Sequence, residues 1–528
     1  MRATPSATIL LTQPKSARRS WAPLWSAIVI GIFSVSDWLQ AAPPAAVPLS
    51  YRAGFEGVGR APIRSWVRFL ASAELEGRET GQRGYGVAAR YVASVLQGLG
   101  VEPAARNASY FQEFDVVERG GLQSARLTVT NLGGAVEEVA LAHAVALEGP
   151  ARLDWNEQWV CAGTGDELAL SRLQWQGQVV LLAPPQERVD EVIRTARLRG
   201  FRRLVIASDT RVREKKGVRE RWETPPGWDH STSESTVVYV SEWVVDRLLA
   251  YHGQSIESLR TAASEEFKPF PLRKVSLRLE LAVKENRLRT YNVLGKLVGR
   301  DSRLSPEFVG IGAHLDHLGV QNGETFPGAD DNASGVSAAL AVAQGIMANG
   351  QRPRRSVIFM FFAAEEIGLY GSRYFVTHPP FPLTQLVGAL HMDMIGRNEE
   401  TARESAADNV NTLHVVGTRR TSGELDQWLH DVNRYVDLSF EYDMEETVYR
   451  RSDHYNFARY GVPVAFFFAG FHPDYHEVSD TVEKLNYDKI YSVSRLVYAL
   501  TYEIAEREQR LRKNAPAGET TGEPSQDG

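Results

Sequence analysis

From Arg289 to about Ile504 the chain alternates near-continuous apolar runs with helical stretches, and no other feature constrains the fold as strongly. The runs are TYNVLGKLVG, FVGIGAH, SVIFMFFAA, LVGALHMDM, TLHVVG and VPVAFFFAG, with the helical stretch ASGVSAALAVAQGIMANG among them. Strands that are apolar on both faces need cover on both faces. The pattern therefore predicts a mostly parallel sheet flanked by helices, the α/β class. In open sheets of this class ligands gather beyond the carboxyl ends of the strands. Polar residues fall at those ends: His314 after FVGIGA, Glu365 and Glu366 after VIFMFFAA, and Asp393 after LVGALHM.

The rest of the chain sorts around that block. A length of 528 residues predicts about two to four domains. Arg18-Arg19, an apolar stretch over Trp21–Val35 and the small residues Ala41 and Ala42 read as an export signal over residues 1–42. An uncleaved membrane anchor is the alternative, and either reading puts the mature chain in the periplasm or outside the cell. Residues 43–58 are rich in Ala and Pro and read as a linker. Residues 59–121 are expected to be a helical N-terminal part of the main domain, with apolar residues at helical spacing through Val87, Tyr91, Val92, Val95, Leu96 and Leu99. Within it the Gly77-Arg78-Glu79 segment reads as a loop and not a phosphate cradle, because no strand precedes it.

Over residues 122–285 the texture changes to short strand-like runs (ARLTVT, QVVLLA, RLVIAS, STVVYVS) and one helix, predicting an inserted, smaller β-rich α+β domain. Its polar run Arg213–Glu234 reads as an exposed loop. The main domain continues over 286–507, and residues 508–528 read as a disordered polar tail. A net charge of −6 without a basic stripe excludes a nucleic-acid partner. The one cysteine, Cys161, allows neither an intrachain disulfide nor a multi-thiolate metal site. Flanked by Trp159 and Val160, it reads as a small core residue.

Any metal must then be held by His and carboxylates, and five short stretches supply them: GAHLDH, GADDNASG, FFAAEEIGLYGS, HMDMIG and DYHEVSDT. Catalytic zinc takes His nitrogen and carboxylate oxygen and leaves a position open. A two-metal site also needs a carboxylate shared by both ions. His314 reads as a ligand whose ring Asp316 orients. In the Gly-containing turn before the Ala333 helix, Asp330 is assigned as the bridging carboxylate and Asp331 is left to the turn. Glu365 and Glu366 emerge side by side from a buried strand, where like charges need a cation. Adjacent extended residues diverge, so Glu365 reads as general base and Glu366 as ligand. Asp393 is a further ligand, with His391 the weaker candidate. His476 is preferred over His454 and His472, and Tyr475 is set to donate to a developing oxyanion. Singly each motif has a structural reading, such as a helix cap or a surface loop; together, in one α/β block, they point to a two-metal hydrolase.

Residues 289–504 resemble the co-catalytic zinc aminopeptidase and carboxypeptidase family, metallopeptidase family 28. The motifs run in its order: HxD at His314, the Asp330-Asp331 turn, the Glu365-Glu366 pair, Asp393 and the late His476. The N-terminal helices with their EGR-TG segment resemble the same family, and the middle of the chain resembles the protease-associated domain often inserted in it. The resemblance implies one zinc on His314, Asp330 and Asp393 and a second on Asp330, Glu366 and His476. It implies Glu365 as the base that serves the attacking water and Tyr475 as a support of the tetrahedral intermediate. The activity implied is release of N-terminal residues from peptides. Carboxypeptidase or dipeptidase action is the alternative, for which Arg397, Arg450 and Arg451 could bind a carboxylate. More distant alternatives are a single-zinc glutaminyl cyclase and a non-catalytic, receptor-like protein. Phe466–Phe468 and Phe471 are expected to line an apolar substrate pocket.

Overall fold

The computed structural model describes residues 45–514, except 142–144, 149–151, 174–177, 217–220, 224–234 and 263–266. The export signal, most of the Arg213–Glu234 run and the greater part of the expected tail lie outside these residues. No helix among the described residues is long and apolar enough to cross a membrane.

The apolar runs form strands of one large sheet. Its main path uses β1 (Phe111–Asn131), β2 (Val136–Ala140), β3 (Val275–Leu297), β4 (Phe308–His314), β5 (Ser356–Phe362), β6 (Leu386–Met392), β7 (Thr412–Val416), β8 (Ser439–Glu441) and β9 (Val464–Phe468). The spatial order is β8-β7-β9-β6-β4-β5-β3-β1-β2. Strands β5, β4, β6 and β9 are mutually parallel. Antiparallel pairs close this block on either side, β9 with β7 and β3 with β5. Every residue of β5 and β6 is buried, as double-sided cover requires. Because β4, β5 and β6 run the same way, His314, the Glu365-Glu366 pair and Asp393 come out at one edge.

Helix α4 (Gly335–Ala348), built largely of Ala, Gly and Val, is buried over most of its length. Small side chains let its neighbours approach closely. A Cβ on Gly54 would stand 2.4 Å from the Gly345 carbonyl oxygen, so glycine is required where these backbones meet. Gly54 belongs to α1 (Leu49–Gly57), which occupies the stretch expected to be a linker. Tyr51 and Phe55, one helical turn apart, are buried there, with Tyr51 stacked on Tyr502 at 5.2 Å and Phe55 edge-on to Tyr435 at 6.1 Å. Burying two such rings contributes about 1.5–3 kcal/mol each, enough to order a segment whose Ala/Pro content argued otherwise. Helices α2 (Arg60–Leu70) and α3 (Arg83–Gly98) contribute to the same core, so the N-terminal part is continuous with the main domain.

Strands β1 and β3 pair antiparallel along nearly their whole length and carry the chain out of this core. Both strands run on through residues 122 and 285, and their pairing shifts register there, between Ala282 and Glu285. At its far end lies a separate six-stranded sheet with its own apolar clusters. There the strands Trp159–Cys161, Val179–Leu182, Arg203–Ala207 and Thr236–Val240 run parallel, and helices such as Glu167–Ser171 and Val189–Leu198 connect them. Cys161 is buried in this part, where burial pushes its thiol up to about 12.

Candidate metal centre

His314 ends β4 with its ring buried. Its Nδ1–H donates to the Asp316 main-chain carbonyl at 3.1 Å, which directs Nε2 toward Asp393 Oδ1 at 3.0 Å and Asp331 Oδ1 at 3.2 Å. The expected orienting group, the Asp316 carboxylate, lies 4.0 Å from Nδ1 and serves other donors. It accepts from the Thr80 hydroxyl at 3.0 Å and from the Glu365 main-chain N–H at 3.2 Å. Thr80 in turn accepts from the Ala364 N–H at 2.8 Å. Asp316 thus fixes the backbone entering the Glu365-Glu366 pair, and burial raises its carboxyl to about 6.

Of the two adjacent aspartates, the one expected to bridge is not the one placed between the histidines. Asp331, not Asp330, lies between the two histidines, with Oδ1 3.2 Å from His314 Nε2 and Oδ2 3.2 Å from His476 Nε2. Asp330 turns away: its Oδ1 accepts from the Gly396 N–H at 2.6 Å and its Oδ2 lies 3.3 Å from His472 Nε2. The reason is local. Asp480 accepts the main-chain N–H groups of Asp330 and Asp331 at 3.0–3.1 Å, locking the turn so that the two side chains diverge. Gly328 enters this turn at φ 56°, and a Cβ there would sit 2.0 Å from the Asp331 carbonyl oxygen, so only glycine fits. Capping falls to Asn332, whose Oδ1 accepts from the Gly335 N–H at 2.9 Å.

Glu366 faces His476 through Oε2 at 3.3 Å, while its Oε1 accepts from His317 Nδ1 at 2.7 Å. Asp393 is held by Ser452, whose hydroxyl donates to Oδ2 at 2.8 Å. His391 is spent elsewhere, 3.0 Å from the Ser452 hydroxyl. His454 stacks on Phe466 at 4.2 Å within an aromatic cluster. Backbone in the left-handed region brackets the site, at Ala364 before the glutamates, Met394 after Asp393, and His476 itself. Such conformations persist where surrounding structure over-determines them.

Two overlapping donor groups result. His314, Asp331 and Glu366 have ligand atoms within 4.8 Å of one another, and so do His314, Glu365 and Asp393. Burial alone would raise the Asp331 carboxyl; the imidazoles around it, His317 first, hold it well below the usual range. Glu365 is raised well above that range by burial and, against the pull of His314, by Glu366 and Asp393. Tyr475 stays a phenol, its acidity suppressed by burial and by Asp331 and Glu366, and its hydroxyl lies 3.4 Å from Arg451 Nη2.

Four residues of this centre have no role in the sequence reading. His317, three positions after His314, was visible in the HLDH string; Asp480 was visible in the EVSDT string. Ser452 carried no signal, and Arg78 only that of the EGR-TG segment, which read as a loop. Arg78 is buried, and its guanidinium donates to the main-chain carbonyls of Leu70, Leu315, Pro327, Gly328 and Asp331.

This geometry can be set beside known proteins. Residues 292–501 match the model of Peptidase family M28. The matched stretch contains every group of the centre from His314 to His476, whereas Arg78 and Thr80 lie outside it. Among curated relatives, leucine aminopeptidase 1 of Uncinocarpus reesii is 28% identical over 232 residues, 41% of this chain and 55% of that protein. A probable leucine aminopeptidase of Trichophyton verrucosum is 29% identical over 211 residues, covering 38% and 55%. The chain therefore spans about 55% of the length of these relatives. Among solved structures, the aminopeptidase from Aneurinibacillus sp. strain AM-1 is similar over 88% of this chain and 98% of its own, with 19% identity and a TM-score of 0.48. Legionella pneumophila LapA aminopeptidase is similar over 42% of this chain and 57% of its own, with 26% identity and a TM-score of 0.35.

Proposed function

We propose that the chain is an exported zinc aminopeptidase whose centre binds two ions. The observation that carries the reading is the Asp331 carboxylate, with one oxygen 3.2 Å from His314 and the other 3.2 Å from His476. A carboxylate shared between two imidazoles, each with a further carboxylate, is the donor set of a two-zinc site. His314, Asp331 and Asp393 would hold one ion, and Asp331, Glu366 and His476 the other. Four buried carboxylates crowded at one edge also need more positive charge than the imidazoles supply. Bound zinc would contribute Lewis acidity and make a water easier to deprotonate.

The chain's own residues supply the rest. Glu365, close to Asp393 and His314 yet outside the shared-carboxylate set, is free to accept a proton from the attacking water and pass it to the leaving amine. Tyr475, held protonated beside Arg451, donates to the oxygen on which charge develops. The carboxylates favour a substrate α-ammonium over a carboxylate. Of the arginines named for a carboxylate-binding alternative, Arg397 is paired with Asp474 at 2.9 Å and unavailable. Arg451 is the observation that favours recognition of a short peptide's far terminus.

Relatives named leucine aminopeptidase support an apolar first residue. So does the wall of Phe468, Phe471 and Tyr475, whose successive ring centroids are 5.0 and 5.2 Å apart. Phe467, expected in the same wall, points to the opposite face and into the main core, as alternation along β9 dictates. The ribbon-borne second sheet, proposed as a protease-associated type of domain, would limit access to peptides and chain ends. The N-terminal export signal supports a periplasmic or secreted location, with membrane attachment only if it is uncleaved.

Residue release from a mixed peptide library, followed by mass spectrometry, tests the reading on the zinc-loaded chain. N-terminal release that stops with a chelator and returns with zinc is the expected result. C-terminal trimming, pyroglutamate formation or no change would replace it by a carboxypeptidase, a cyclase or a binding protein. A paired substitution tests the bridge. Asp331→Asn is expected to lower zinc retention at least about tenfold, since outer partners alone are worth that much. Asp330→Asn should retain zinc and lose about 1–3 kcal/mol of stability, because a buried polar contact is disturbed. Equal zinc loss in both variants would sink the assignment of Asp331.

A further inference from the structure

We infer that Glu399, His414 and Glu441 form a separate metal site for a transition divalent cation such as Zn2+ or Mn2+. His414 lies in β7, Glu441 ends β8 directly opposite it in the parallel register, and Glu399 comes from the segment that follows Asp393. Their ligand atoms lie within 4.8 Å of one another. His414 Nε2 is 2.9 Å from Glu399 Oε2 and 3.5 Å from Glu441 Oε2. The cluster shares no residue with the centre at the edge of β4 and β6, and β9 separates β7 from β6 in the sheet.

Beyond the grouping itself, the His414 ring points to a ligand. It is buried, and its Nε2 aims between the Glu399 and Glu441 carboxylates. Asp443 Oδ1 lies 3.2 Å from that Nδ1. A carboxylate behind one ring nitrogen, with the other aimed at further carboxylates, is the arrangement that orients metal-bound imidazoles. Charge points the same way. Three carboxylates face one imidazole, and Glu404 adds a fourth acidic group against Glu399. The buried Lys489 beside them gives its ammonium to the Asn409 carbonyl at 2.7 Å. A cation at Glu399, His414 and Glu441 would supply the missing charge. The imidazole favours zinc or manganese over calcium, which takes oxygen donors.

Such a site would stiffen the wall of the proposed substrate pocket. Glu399 packs against Gly470, where a Cβ would meet the Glu399 Cβ at 2.4 Å. The Glu400 N–H donates to the Phe471 carbonyl at 2.9 Å, and the His414 ring lies 5.9 Å from Phe468.

The test is zinc per chain after chelator stripping, dialysis against zinc and desalting. It compares the wild-type chain with Glu441→Gln, His414→Gln and Asp331→Asn. Glu441 is on the sheet's short edge strand and partly exposed, so Glu441→Gln keeps the test open if His414→Gln fails to fold. Glu441→Gln is expected to bind one equivalent less than wild type and to keep peptidase activity. It should lose part of the zinc-dependent rise in Tm, and its loss should add to that of Asp331→Asn. Equal zinc content in wild type and Glu441→Gln would overturn the proposal and leave His414 as a hydrogen-bonding partner of Glu399. Because the readout is a difference between variants, it stands whatever number of ions the Asp331 centre takes.

Discussion

Glu365→Gln is expected to lower kcat roughly a hundred- to ten-thousand-fold, the range for removal of a general base, while zinc content and Tm stay near wild type. The substitution keeps the side chain's size and its amide oxygen, so the buried pocket is not emptied. It removes the group that can take a proton from water. Metal content should survive because Asp331, Glu366, Asp393 and the two histidines do not depend on Glu365 for their contacts. A pH profile adds a second readout. Burial first, then Glu366 and Asp393, raise the Glu365 carboxyl above the 4.5 of an ordinary glutamate. Zinc on Glu366 and Asp393 would remove their part of the rise and leave that of burial. A base acts only when deprotonated, so kcat/KM should fall as pH drops through the Glu365 pKa, and the acid limb should vanish in the Gln variant. Near-wild-type turnover in Glu365→Gln, or an unchanged acid limb in its residual activity, would show that another group moves the proton.

What could be read from the chain, and what could not, follows from the range of the forces involved. Strand ends were legible because strands apolar on both faces stop where a charge first appears, as at His314 and Asp393. The Glu365-Glu366 pair was legible because two carboxylates leaving a buried strand need a cation. The choice between Asp330 and Asp331 was not. It rests on a turn held by Asp480, about 150 residues later, and nothing local distinguishes two adjacent aspartates. Phe467 illustrates the same limit within a strand, since composition suggests an aromatic wall while alternation sends its middle ring into the core. The linker expected over residues 43–58 gave way to helix α1 because Tyr51 and Phe55 pack on rings from the far end of the chain. His317 is a nearer miss, since its spacing from His314 was on view and only its contact with Glu366 was hidden.

Arg78→Met should be the most destabilising single change at the centre, on the order of 3–5 kcal/mol, the range for leaving buried polar partners uncompensated. One guanidinium satisfies carbonyls from the end of α2, the residue after His314, and the turn carrying Asp331. Each carbonyl left bare in a dry interior costs about 1–3 kcal/mol, and methionine offers no donor. Burial lowers the Arg78 pKa only to about 10, so the side chain is charged at neutral pH and its bonds are charge-assisted. Arg78 touches none of the donor atoms; it positions the backbone that aims His314 and Asp331. Zinc affinity should therefore fall along with Tm, whereas a purely structural residue would lower Tm alone. Arg78→Lys, with one ammonium in place of a planar fork, should recover only part of both. Thermal unfolding with and without zinc, together with zinc content, reads the two effects separately. A Met variant with wild-type Tm and full zinc would mean that the turn holds itself, through Asp480 and Gly328, without the arginine.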